Sequence, residues 1–283
     1  MTRIFLSIIL LAALLPLGGE AQSQPFSPMT RAERRVARMQ QATRNISDSE
    51  EYLVGRAVAA RILTTHPLVQ DPKLQLYVNE VGQTVARKSS RPQAYRGYHF
   101  AVLESPEPNA FACPGGIILI TRGLLKMCAN EDQLAAALAH EVAHVAHRDG
   151  INSIVKSRWA QVVAERRIAR AKERGGRAAE MANLYEGAIN DVFKAIVTNG
   201  YSRTAEWAAD QEALRTLKRA GYNPAALAAL LTSMLALQKR QAGLHHTHPP
   251  TALRLRKLEM QVQDQKPDKQ QKVREQRFKE QKI

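Results

Sequence analysis

The apolar residues of this chain recur at changing periods along its length, and those changes divide it. Twelve apolar residues run from Ile4 to Leu15 behind Arg3, and Pro16 ends them. A bilayer core needs about 20 residues of helix, so this run is too short to span one. Gly19-Glu20-Ala21 then offers small residues where a signal peptidase reads, and no Cys follows that would mark a lipoprotein. Residues 1–21 are expected to be a signal peptide, the alternative being an uncleaved anchor, and the mature chain is expected to start near Gln22.

From residue 22 to 49 the pattern is helical and basic, with Arg31, Arg34, Arg35 and Arg38 at spacings of three and four. Ser47-Asp48-Ser49-Glu50 reads as a helix start, with Leu53, Ala57, Ala60 and Ile62 as its apolar face. Asp71-Pro72 opens a second helix whose apolar positions are Leu74, Tyr77, Val78, Val81 and Val85.

The period then drops to two. Tyr98 to Leu103 alternates, Gly116 to Thr121 is a β-branched run, and the two are expected to be neighbouring strands. Asn130, followed by Glu131, Asp132 and Gln133, predicts the capped start of an Ala-rich helix that reaches about His147. Further helices are expected within Arg158–Glu186, over Arg203–Ala220, and after Asn223-Pro224 through Leu227, Leu230, Leu231, Met234 and Leu237. Residues 263–283 carry seven Lys or Arg, four Asp or Glu and few apolar side chains, which predicts a solvated, charged tail or frayed helix. The fold class is α+β, mainly helical, with a small sheet.

Charge narrows the partners. Forty-one Lys and Arg against 26 Asp and Glu give +15, which favours anionic surfaces. Nucleic acid is not expected as a partner, because aromatics make up only 5% of the chain, no recognition motif is visible and the leader reads as an export address. Peripheral contact with anionic membrane or envelope components accounts for the charge instead. Two cysteines, Cys113 and Cys128, are too few for a disulfide scaffold. They either close one loop, worth about 3 kcal/mol, or remain two small buried thiols.

The chemistry lies in His140-Glu141-Val142-Ala143-His144. Four helical residues turn through about 400°, so both imidazoles leave one face a turn apart and can meet a single zinc ion at ~2.0–2.1 Å. Glu141 stands beside the first of them, placed to take a proton from bound water without ligating. A catalytic site needs a third protein ligand, and Glu206 is the best candidate. It shares a helix face with Asp210, which can hold a ligand imidazole in one tautomer. His147 lies about 10 Å along the helix from His140, too far to join the same ion. His245, His246 and His248 precede Pro249-Pro250, as a polar loop or as the carrier of His248 to the metal cleft.

Four ordered blocks make the chain resemble the zinc metallopeptidases that include the HtpX heat-shock proteases, the CAAX prenyl endopeptidases, the Oma-type mitochondrial proteases and the periplasmic BepA-type proteases. The blocks are Asn109 to Gly116 with Thr121 to Leu125, His140 to Arg148, Tyr201 to Asp210, and Thr247 to Pro250 with Arg254. The resemblance implies a zincin-type metallopeptidase domain over residues 50–262 and one Zn²⁺ per chain. It implies His140, His144 and Glu206 as ligands, Glu141 as general base and Asp210 behind a ligand. His248 is implied either as a fourth ligand that keeps the enzyme latent or as a donor to the developing oxyanion. Asn109, Ala110, Gly115, Gly116, Ile117 and Ile118 are implied to form an edge strand to which an extended substrate adds.

Asp149 stands where many relatives carry a His, so no ligand role is expected of it. The membrane helices of HtpX and the helical-repeat domain of BepA-type proteins are not expected here either. The expected activity is zinc-dependent cleavage of unfolded or misassembled exported proteins in the cell envelope or periplasm. A chaperone-like module with a latent zinc site is the alternative.

Overall fold

In the computed structural model of the protein, the residues described are 46–153, 187, 189–240, 248, 252–262, 270–281 and 283. The expected leader, most of the basic segment 22–49, most of Arg158–Glu186 and residues 245–247, 249 and 250 lie outside them.

Local sequence accounts for most of the helix starts. Helix α1 (Asp48–Leu63) begins with a capping box between Ser47 and Glu50, and α2 (Pro72–Ala86) with Asp71 accepting the Lys73 and Leu74 amides. The expected face of α1 is rotated. Val54, Val58, Ala59 and Ile62 are buried, whereas Leu53 is 55% exposed, so Leu53, Ala57 and Ala60 do not form the packed stripe. Gly55 explains the choice: a Cβ there would lie 1.8 Å from the Pro114 carbonyl oxygen, so α1 presents its glycine side to the turn at Pro114–Gly116.

Three strands follow, β1 (His99–Leu103), β2 (Ala110–Cys113) and β3 (Ile117–Thr121), in the order β1-β3-β2. β1 pairs parallel to β3, as the two-residue period suggests, and β2 pairs antiparallel to it. This corrects the edge-strand expectation for Gly116–Thr121. An Ile-Ile-Leu-Ile run, apolar at every position, is the pattern of a strand covered on both faces, and β3 is the central strand. Its main chain is already paired on both sides, so Gly115, Gly116, Ile117 and Ile118 offer no open edge, whereas Ala110 lies on outer strand β2 and Asn109 adjoins it.

The sheet separates two cores. Phe100, Val102, Ile118 and Ile120 face the larger one with Val78 and Leu138, while Phe111, Leu119 and Leu103 face the smaller with Val58 and Ile196. Cys113 belongs to the smaller core and Cys128 to the larger, and both are free, which removes the disulfide alternative.

After the short α3 (Arg122–Met127), α4 (Glu131–Ala146) is buried from Glu131 to Val145. Asn130 caps it on the Gln133 amide at 3.0 Å. Its many alanines let α2, β2 and α5 (Arg203–Ala220) approach closely. α5 starts on the Ser202 side chain and stops at Gly221 with φ 79°, and α6 (Ala225–Arg240) starts at Asn223. Before α5, a π-helical turn (Lys194–Asn199) ends at Gly200.

Two last helices, α7 (Ala252–Val262) and α8 (Gln271–Lys279), complete the described chain. α8 corrects the expectation of a solvated tail. Phe278 is 9% exposed in the larger core, and Arg277 and Arg274 pair with Glu131 and Asp132 at the start of α4. The charges that suggested solvent meet opposite charges more than 140 residues earlier.

A second buried carboxylate fixes the other end of α4. Glu51 accepts from Arg91 at 3.0 and 3.1 Å and from the Gly115 amide at 3.1 Å, and it ion-pairs with Arg148 at 3.0 Å. Arg148 has φ 57°, the left-handed turn that stops the helix.

Candidate metal centre

Helices α4 and α5 bring the predicted groups together. His140 and His144 project one turn apart from α4, Glu206 comes from the first turn of α5, and His248 arrives from the segment before α7. One donor atom from each of the four lies within 4.8 Å of the other three, and all four residues are buried. His147, at the end of α4, is not among them.

The spacing inside this cluster decides what it can hold. The two imidazole Nε2 atoms are 3.1 Å apart, His140 Nε2 is 3.4 Å from Glu206 Oε2, and His144 Nε2 is 3.5 Å from Glu206 Oε1. Ligands at ~2.0–2.1 Å from a tetrahedral ion stand about 3.3 Å from one another. Three nitrogen and oxygen donors at that separation fit a zinc-sized divalent cation. Zinc suits the two-imidazole, one-carboxylate set.

The rear of each imidazole is also held. His140 Nδ1 lies 3.1 Å from Asp210 Oδ1, as expected for Asp210, and His144 Nδ1 donates to Asp149 Oδ2 at 2.7 Å. Both arrangements direct Nε2 toward the cluster. Asp149 was assigned no ligand role, and it ligates nothing here; its contribution behind His144 went unforeseen. It depends on the left-handed turn at Arg148, which brings a side chain five residues on back to the helix.

Two more residues support the site. Arg254 donates to Asp210 from two nitrogens at 2.8 and 2.7 Å, and its Nη1 lies 2.8 Å from Glu206 Oε2. The Tyr201 ring stacks on His144 with centroids 4.4 Å apart. Both residues belong to sequence blocks that carried the resemblance, but only contact geometry gives them these parts.

Electrostatics follow from this crowding. Burial opposes charge on His140, but Asp210 and Glu206 outweigh it and raise the pKa from 6.5 to about 10. His144 is raised too, with burial overcome by Asp149 and Glu206. Burial would raise Glu206, yet the charge of His248 and hydrogen bonds from His140, His144 and His248 hold its carboxyl far below the usual range. Without an ion, protons on the imidazoles balance the carboxylates; a cation would take their place.

His248 occupies the fourth side. Its Nδ1 lies 2.8 Å from Glu206 Oε1 and 3.4 Å from His140 Nε2, and its Nε2 is 3.6 Å from Glu141 Oε1. Glu141 Oε2 is buried and has no hydrogen-bond partner among the described residues. A buried carboxylate oxygen left unpaired beside a cation site is placed to receive a proton.

Comparison with known proteins agrees with this geometry. The family model for Peptidase family M48 matches residues 72–262. The Beta-barrel assembly-enhancing protease of Escherichia coli (strain K12) is 26% identical over 222 residues, covering 74% of this chain and 43% of that protein. The Mitochondrial metalloendopeptidase OMA1 of Schizosaccharomyces pombe is 30% identical over 187 residues, 65% of this chain and 52% of that one. A Protease HtpX homolog of Salinibacter ruber is 28% identical over 184 residues, 56% of this chain and 66% of its own length. The chain thus spans about half the length of the first two relatives. It belongs to peptidase family M48, whose members are metalloproteases.

Proposed function

We propose that this M48 family member is a zinc-dependent endopeptidase, with His140, His144 and Glu206 as metal ligands and Glu141 as general base. The supporting observation is one cluster: three donors at 3.1–3.5 Å from one another beside the unpaired Glu141 Oε2. When bound, the ion polarises a peptide carbonyl and acidifies a water molecule. Glu141 takes the proton of the attacking water and hands it to the leaving amine. Asp210 and Asp149 keep the imidazole nitrogens aimed at the site, and Arg254 holds Glu206 in place while neutralising part of its charge. An extended peptide adds beside Asn109 and Ala110 at outer strand β2, since β3 is already paired on both sides.

His248 is a fourth ligand in the resting state. Its Nδ1 stands among the donors rather than across the cleft from them, which supports ligation over a role at the oxyanion. In that position it takes the place of water, and the enzyme is latent until the segment carrying it withdraws. The substrates are unfolded or misassembled exported proteins, because strand addition needs an extended chain, and the basic surface holds the enzyme near anionic envelope components. The name of the Escherichia coli relative agrees with envelope assembly.

The test is to purify the full chain, measure bound zinc and follow casein digestion by wild type, Glu141→Gln and His248→Ala. Zinc retained by Glu141→Gln with digestion abolished, together with faster digestion by His248→Ala, is the expected result. Slower digestion by His248→Ala would return that residue to the oxyanion. Zinc bound with no digestion by any form would favour a chaperone-like module.

A further inference from the structure

Next to Glu141 and His140 the structure holds a cleft of about 450 Å³, open to solvent, that the metal chemistry does not use. Its walls are aliphatic. Leu227, Leu230 and Leu231 of α6 are buried along one side, half-buried Met234 follows them, and Leu124 of α3 lies on another. Ala137 of α4 also lines it, one turn before His140 and Glu141 on the same helix face. Asn109 and Ala110 border it at the start of β2, so a chain lying along that strand passes the metal cluster and the cleft together.

The charges in the lining are already matched. Arg254 faces Asp210 through two nitrogens and Glu206 through a third, His140 is backed by Asp210, and His248 meets Glu206. An acidic substrate side chain would find a guanidinium committed to two carboxylates and, beside it, the Glu141 carboxylate. An apolar side chain would find leucines.

We infer that this cleft is the specificity pocket of the enzyme. It takes a leucine-, isoleucine- or methionine-sized side chain from a residue that flanks the scissile bond, with Ala137 and Leu230 setting its size. The inference rests on the peptidase reading above and adds the substrate class: peptide bonds next to medium-sized aliphatic residues, with acidic residues rejected at that position. Such segments are buried in folded proteins and exposed in unfolded ones, so the pocket itself selects unfolded chains. Pocket contacts of this kind separate side chains by about tenfold or more for each methylene gained or lost.

The test has two arms. In the first, the zinc-loaded full chain digests reduced, unfolded proteins, and the cut sites are read by mass spectrometry. One flanking position should favour Leu, Ile and Met over Asp and Glu by at least about tenfold. Ala137→Leu should shift that position to Gly, Ala and Ser, and Leu230→Ala should shift it toward Phe and Tyr, with bound zinc unchanged in both. A flat profile, or a profile that neither variant moves, would overturn the inference.

The second arm needs no turnover. Fluorescent peptides that differ only by Leu or Asp at the varied position are titrated against Glu141→Gln by anisotropy. The Leu peptide should bind about tenfold tighter, and Ala137→Leu in the same background should erase the difference. Equal binding of both peptides would sink the pocket assignment. Absence of cleavage in the first arm with discrimination intact in the second would instead count against the hydrolase reading alone.

Discussion

Two buried carboxylates, Glu131 and Glu206, each sit in the first turn of a helix against an arginine from the C-terminal part of the chain, yet their surroundings allow different chemistry. Glu131 accepts from the Tyr77 and Tyr222 hydroxyls at 3.0 and 3.1 Å and from two nitrogens of Arg277. None of these donors gives up its proton near neutral pH. Burial and the nearby Glu131 push both tyrosines far up, and the Glu131 hydrogen bond raises Arg277. Glu206 has one permanent partner, Arg254, and otherwise faces the imidazoles of His140, His144 and His248. An imidazole can lose its proton and present a lone pair, so this cluster can exchange protons for a cation while that around Glu131 cannot. Exchangeable donors, rather than buried acid as such, separate a metal site from a structural clamp.

The sharpest way to break the contrast is to neutralise each acid. Glu206→Gln should bring bound zinc, measured by atomic absorption, to background and abolish casein digestion with it. Full zinc occupancy in that variant would remove Glu206 from the ligand set.

Next in size is a pH effect confined to the exchangeable cluster. His140 in the metal-free protein has its pKa raised to about 10, so its stabilising charge is complete below 6.5 and lost as pH rises through about 10. Metal must displace that proton. Zinc affinity, followed by competition with a chelator, should therefore climb about tenfold per pH unit from pH 7 and level off near pH 10. The metal-free protein should lose stability over the same range. An affinity already flat above pH 7 would contradict the raised value.

Glu131→Gln should act on stability instead. Removing one partner of a buried ion pair costs about 3–5 kcal/mol, and about 2–3 kcal/mol is expected here because the Arg277 side chain is 49% exposed. Differential scanning calorimetry should show a melting temperature lower by several degrees, with one zinc still bound per folded chain. Loss of zinc at unchanged stability would overturn the clamp reading.

Asp149→Asn is the finest probe, since it alters only the group behind His144. Losing such a partner costs roughly 10–100-fold in metal affinity. A variant with wild-type affinity would show that His144 needs no orienting carboxylate.

Much of the centre was legible in sequence because its rules are local. The four-residue spacing of His140 and His144 puts both rings on one helix face whatever surrounds them, and the same spacing ties Asp210 to Glu206. Caps at Ser47, Asp71, Asn130, Ser202 and Asn223 likewise act within a few residues of themselves. Where expectation and structure part, the deciding partner is distant. Leu53 looked like core, but Gly55 had to face Pro114. Ile117 to Thr121 was taken for an edge although its unbroken apolar run suits a central strand. Arg274 and Arg277 read as solvated because nothing near them in sequence is acidic enough to suggest burial.

By itself the sequence determined the helix starts, the period change that makes the strands, and the paired imidazoles with an acid between them, because each depends on backbone geometry over a turn or two. Tertiary structure alone decided that Asp149 and Arg254 steady the centre, that His248 stands among the donors, that β2 rather than β3 borders the site, and that the last helix clamps the first turn of α4. Those outcomes depend on which groups come within a few ångströms across more than 40 residues of chain, and there burial and charge pairing, not local preference, carry the free energy.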